Sequence, residues 1–280
     1  MNNPIGICLK GGIGNQLFQV FTLISKAIET NRDFYILFDK SDKRQLSEFI
    51  FFNIKDKIQS GVFNLNFNEP NYYNQMTFRK YQEIPDDCDF ISGHFEHPNY
   101  FNHNKTKIIQ LLKLNELQNK YKFPFKKIIA IHFRFEDNIT QKFVQKPSYY
   151  IKVLNLLKDE LKEDFYNHKF IIFRTNGEYD EKLSNIYIDI INSQLDISLI
   201  KFTDLYPNIT SEEEFLYMSN CNYFITTIST FCWFAFYLSN YNHKRLFTVL
   251  DEDFMRINGI TILNNDNYTK DEVMNLINPN

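Results

Sequence analysis

Five apolar residues, Ile5–Leu9, run almost directly into GGIGNQLFQ, Gly11–Gln19, and then into apolar positions at helical spacing through Leu17–Ile28. A buried strand, a glycine turn and a helix in that order restrict the fold sharply. A second apolar run, Phe34–Phe38, ends at Asp39 and completes a strand–loop–helix–strand opening, the mark of an α/β domain.

The alternation returns in the second half. Strands are predicted at Lys127–Phe133, Phe170–Phe173, Tyr223–Thr226 and Arg245–Leu250, and helices at Ser148–Leu161, Glu212–Asn220, Thr230–Leu238 and Lys270–Ile277. In the first half, a strand ends within Asp89–Gly93, Tyr100–Leu114 reads as a helix, and Ser60–Asp89 has weak periodicity. Repeated βα units imply parallel sheets with helices on both faces. With 280 residues, 44% of them hydrophobic, the chain can hold two ordinary cores. The economical expectation is two Rossmann-like domains facing a cleft, residues 1–125 and 126–280, joined near Tyr121–Phe125.

The net charge of -3 lacks the basic surplus of a nucleic-acid binder, so no nucleic-acid partner is expected. The four cysteines form no C-x-x-C pair or zinc pattern. Cys8 and Cys232 lie in apolar runs and read as buried thiols, which fits a reducing, cytoplasmic compartment. The most apolar stretch, Phe224–Ser239, is too short and too rich in Ser and Thr for a membrane span, and reads as strand, turn and helix. The opening MNNPIGICLK has no leader pattern.

The glycine loop admits several readings. Gly12 and Gly14 begin a dinucleotide fingerprint, G-x-G-x-x-G, but its third position is Leu17; Asp39 stands where a ribose partner belongs. That leaves a nicotinamide-linked oxidoreductase as an alternative. A phosphate-binding P-loop fails because no Gly-Lys-Ser/Thr follows. An ordinary tight turn explains the glycines. It does not explain why Asn15 and Gln16, two bidentate hydrogen-bonding side chains, open the helix.

GGIGNQLFQ resembles the opening motif of the alpha-1,2-fucosyltransferase family (glycosyltransferase family eleven), G-G-L-G-N-Q-L-F-Q. Four further segments agree in order: SGHFEHPNYF at Ser92–Phe101, IAIHFRFED at Ile129–Asp137, PSYY at Pro147–Tyr150, and FLYMSNCNYFITTISTFCWFAFYL at Phe215–Leu238. They span nearly the whole chain. The resemblance implies a GT-B fold and an inverting, metal-independent transfer of fucose from GDP-fucose to O2 of a galactose in a glycan acceptor. It implies no cofactor beyond the donor, and, since the chain starts at the first motif, a likeness to soluble microbial members.

The leaving diphosphate then needs cationic and N–H donors. Arg134, just past a predicted strand at the carboxyl edge, is the first candidate, with His132 beside it as a nucleotide contact. Ser229, Thr230 and Phe231, at a strand end and helix start, form a second anion-binding element. Glu214 stands where the family carries an acid and would accept from guanine; its other reading is a solvated acid in the run Glu212–Glu214. Gly12, Gly14 and Asn15 would bring backbone and amide to the donor. Asn15, Gln16, His94, Phe95 and Glu96 would meet fucose or acceptor, with Phe95 as an aromatic face. An inverting displacement also wants a base; Asp137, Glu136 and Glu96 are the candidates, Asp137 first.

The chain departs from the family's H-x-R-R-G-D, reading His132-Phe133-Arg134-Phe135-Glu136-Asp137. One arginine is lost to Phe135 and a glycine to Glu136. Arg174, after the next predicted strand, is the candidate to restore the missing charge. The same departure leaves open another GDP-sugar as donor, or a catalytically silent nucleotide- or sugar-binding relative.

Overall fold

The computed structural model describes residues 3–40, 45–63, 71–75, 79–135, 144–175, 177–249 and 257–277. Two compact units divide the described residues between Lys120 and Tyr121.

The first unit contains β1 (Ile5–Leu9), α1 (Ile13–Thr30), β2 (Phe34–Asp39), β3 (Ile58–Gly61), β4 (Tyr72–Asn74), β5 (Phe90–Ser92), α2 (Lys105–Leu112) and α3 (Leu114–Lys120). Its sheet is parallel, in the order β3-β2-β1-β5-β4. All five residues of β1 are buried, as a central parallel strand requires. Helix α1 is buried along most of its length, from Gln16 to Ala27, and stops where Asn31 turns left-handed (φ 49°).

The second unit contains β6 (Ile128–Phe133), α4 (Pro147–Leu161), β7 (Lys169–Arg174), α5 (Glu178–Leu195), β8 (Leu199–Lys201), α6 (Phe202–Leu205), α7 (Ser211–Met218), β9 (Tyr223–Ile225), α8 (Thr230–Leu238), β10 (Arg245–Thr248), β11 (Ile260–Ile262) and α9 (Lys270–Ile277). The sheet is again parallel, β11-β10-β9-β6-β7-β8. That is the doubly wound Rossmann order, with β6 first and the chain returning to its other side at β9. Ile129, Ile131 and Phe133 share one core with Phe170 and Ile172, under Val153 and Leu157 of α4 and Leu183 and Tyr187 of α5. The paired residues His132 and Phe173 belong to the other face.

The stretch Phe224–Ser239 folds as expected, into β9, a turn and α8. Helix α5 and strands β3, β4, β8 and β11 have no counterpart among the predicted elements. The predicted helix Tyr100–Leu114 is shorter: Phe101 (φ -145°) leaves the helical region between two 3-10 turns, α2 starts only at Lys105, and it ends where Lys113 turns left-handed (φ 52°) before α3. All four cysteines are buried. Among the described residues no helix is long and apolar enough to cross a membrane.

Candidate functional site

In the second sheet the strand order reverses between β6 and β9. Loops leaving two neighbouring strands in opposite directions open a crevice at their carboxyl ends, where such sheets hold ligands. Here those loops carry Arg134 and the run Thr226–Ser229.

Three contacts join them. The His132 ring, 4% exposed, places Nδ1 3.4 Å from the Thr226 hydroxyl. It also stacks on Phe231, with centroids 5.7 Å apart and planes at 20°. Arg134 donates from Nη1 to the Ile228 carbonyl at 3.1 Å. The turn itself is held from behind by Tyr149, whose hydroxyl donates to the Thr226 carbonyl at 2.7 Å, and by Thr248, which donates to the Thr227 carbonyl at 2.6 Å. Burial, and then the neighbouring Arg134 charge, push the His132 imidazole down to about 3. A neutral ring donates from one nitrogen and accepts at the other, so His132 adds a dipole rather than a charge.

Ser229 caps α8: its hydroxyl accepts the Cys232 N–H at 3.1 Å. Thr230 and Phe231 form the first positions of that helix, where N–H groups and the helix dipole favour an anion. His132, Arg134, Ser229, Thr230 and Phe231 thus come to one crevice.

Arg174 ends β7, in register with Phe133, and so leaves the sheet on the face away from His132. Its guanidinium pairs with Glu181 of α5, which also binds Lys201 at 2.8 Å. Nη1 donates to the Thr175 carbonyl, and Nε is buried with no partner among the described residues. The acidic run at α7 divides its tasks. Glu213 closes a capping box with Thr210. Glu214 turns toward β7: burial pushes its carboxyl up to about 8, against the Arg174 charge and a hydrogen bond from the Arg174 backbone. Glu214 therefore sits beside Arg174 rather than on a solvated helix start.

Phe135 occupies the place of the missing arginine. It is 1% exposed, packed on Tyr187 (4.8 Å) and Phe133 (5.3 Å), so a charge there would face a hydrocarbon core. Asp137 and Glu136 lie outside the described residues.

In the first unit β1 and β5 are neighbours in the sheet, and the glycine loop and the His94 loop leave the carboxyl ends of these two strands. Gln19, fully buried, joins them: its carbonyl accepts the Lys10 N–H at 3.0 Å and its amide donates to the Gly93 carbonyl at 3.1 Å. Gln16, expected to meet substrate, has both amide protons on the Gly11 and Gln45 carbonyls (2.9 and 2.8 Å), while its oxygen accepts the Ser47 N–H. Its side chain holds the loop. Gly11 (φ +79°) makes the turn, Asn15 packs over it, and Gly12 has open space where a side chain would stand. Gly14 is buried in the first turn of α1.

Phe95, expected to offer a face to a sugar, is fully buried against Tyr100. Its neighbour Glu96, 2% exposed, accepts from Arg79 Nε at 3.1 Å. His94 is held below the usual imidazole range by burial, Lys10 and Arg79.

The residues missed by sequence reasoning are the supports: Asp180, Glu181, Thr226 and Gln19. Only Asp180 carried a signal, as an acid three residues after Gly177, where a helix cap is satisfied.

No family model matches the sequence, and no curated protein matches it. Solved structures do match in fold. The Escherichia coli ADP-heptose LPS heptosyltransferase II superposes with a TM-score of 0.50 at 8% identity, covering 98% of this chain and 97% of that one. A mutant of Arabidopsis thaliana FUT1 in complex with GDP gives 0.47 at 11% identity, covering 91% and 72%. The fucosyltransferase NodZ from Bradyrhizobium gives 0.43 at 11%, covering 84% and 92%. The fold is GT-B, that of the glycosyltransferases: two α/β units, each on its own parallel sheet.

Proposed function

We propose that the chain is a glycosyltransferase that takes fucose from GDP-fucose and places it, by inverting displacement and without a metal, on O2 of a galactose in a glycan, in the cytoplasm. The observation that carries the reading is the crevice between β6 and β9, which gathers His132, Arg134 and the start of α8. The choice of GDP-fucose over another nucleotide sugar comes from the five motifs that resemble the alpha-1,2-fucosyltransferases; the heptosyltransferase likeness supports the fold alone.

In this reading Arg134 and the N–H groups heading α8 take the β-phosphate as charge develops on its leaving oxygen. Neutral His132 supports the same group without repelling Arg134. Glu214 accepts from the guanine edge, and Arg174 beside it supplies the second positive charge near the nucleotide. Asp137, three residues past Arg134, is the proposed base for the acceptor hydroxyl. The loops at Gly12–Asn15 and His94 of the first unit receive sugar.

Thermal unfolding with GDP, GDP-fucose, GDP-mannose, ADP and NAD, each with and without EDTA, tests the reading. A ligand at 100 times its dissociation constant stabilises by ~2.7 kcal/mol, a shift of several degrees. GDP and GDP-fucose are expected to shift the midpoint equally with EDTA present, and transfer of labelled fucose to a galactoside should follow. A shift with ADP alone, or with NAD alone, overturns the proposal.

A further inference from the structure

We infer that Asp180 is a positioning residue of the donor site, one buried carboxylate that locks the ends of β6 and β7 together and so aims both arginines. The inference rests on the nucleotide-sugar reading above. Asp180 is fully buried near the start of α5. Its Oδ1 accepts the N–H of Phe135, the residue after Arg134, at 3.0 Å. Its Oδ2 accepts the hydroxyl of Thr175, the residue after Arg174, at 2.6 Å, and the Gly177 N–H at 3.0 Å.

Capping α5 accounts for the Gly177 bond only, and a capping acid ordinarily keeps its other oxygen in water. Here that oxygen goes to a peptide just past the end of β6. Burying a carboxylate is costly unless hydrogen bonds replace its water, and these donors sit immediately beyond the two arginines. The next residue of α5, Glu181, pairs with the Arg174 guanidinium itself. Arg134 is thus held at its backbone through Phe135 and at its head by the Ile228 carbonyl. A donor fixed at both ends meets phosphate without reorganising, and a misplacement near 1 Å can cost ~100-fold in rate.

The test is calorimetric titration of GDP into the full chain, as wild type, Asp180→Asn, Arg134→Ala and the double variant. Asp180→Asn keeps the volume but turns one acceptor into a donor. Coupled residues give non-additive losses and independent ones additive losses. Asp180→Asn is expected to weaken GDP binding about tenfold, and the double variant to bind no more weakly than Arg134→Ala. Should Asp180→Asn fail to fold, Thr175→Val, which removes one bond of the three, enters the same cycle in its place with a smaller expected loss. Wild-type affinity in these variants, or losses that add in full to that of Arg134→Ala, overturns the inference while leaving the donor reading intact. A wild type that binds no GDP overturns both.

Discussion

At the scale of single residues, the proposed donor site depends on where charge is placed. Arg134 is the cation of the crevice that the β6–β9 reversal creates, and removing one preorganised donor from a developing oxyanion costs ~3–4 kcal/mol of barrier. Arg134→Ala is expected to lower kcat by about 10²–10³-fold and to weaken GDP binding, read by steady-state transfer and titration. Glu214 gives a pH signature. Its folded carboxyl, raised to about 8, keeps a proton that the unfolded chain releases near pH 4.5. Stability contributed by that proton is therefore lost as pH rises through this window and is flat above it. The difference in unfolding free energy between wild type and Glu214→Gln should follow that course. GDP affinity should rise as pH passes about 8, where the carboxylate proposed to accept from guanine forms, and Glu214→Gln should abolish the rise. Arg134 and Glu214 were legible because short motifs carry them. Asp180 carried only the spacing of a helix cap, because in EYDEKLSN an acid that turns inward is written like one that meets water. Phe135, a departure from the motif by sequence, is a core residue by structure.

At the scale of elements, the glycine loop separates structural from functional constraint. A Cβ at Gly11 would stand 2.6 Å from Asn15 Nδ2 on a backbone with φ +79°. Gly11→Ala is expected to destabilise by about 1–2 kcal/mol, measured by denaturant unfolding. A Cβ at Gly12 meets nothing within 4 Å, at φ -79°. Gly12→Ala should change stability by less than about 0.5 kcal/mol, because lost chain entropy offsets a poorer cap. The open space is proposed for substrate, so the same variant should raise KM for acceptor; an unchanged KM would assign the glycine to the turn alone. Long elements with apolar spacing could be read ahead of the structure: α8 and α9 have the predicted bounds, and β1 as well. Strands β4, β8 and β11 have three residues each, too few to show a period. Helix α5 buries Leu183, Tyr187, Ile191 and Leu195 at intervals of four, but Ile186, Ile188 and Ile190 between them give the alternation of a strand and hide the stripe.

At the scale of the whole molecule, each unit carries its own parallel sheet, with motif residues on loops that leave the carboxyl ends of neighbouring strands. In the second unit they are His132, Arg134 and Ser229–Phe231; in the first, the Gly11–Asn15 turn and His94, linked through Gln19. The proposed donor role of the second unit and acceptor role of the first account for motifs spread over nearly the whole chain, and hydrogen exchange can separate the two. GDP alone should slow exchange at the Arg134 and Ile228–Trp233 amides, because phosphate contacts tie down the head of α8. GDP plus a galactoside should add protection at Gly11–Asn15 and Gly93–Glu96. Gln19→Ala cuts the tie between those two loops without touching the second sheet, so it should abolish the added protection and leave that from GDP. Protection by GDP in the first unit instead would move the donor to the glycine loop, reverse the assignment of the two units, and make Arg134 an acceptor residue.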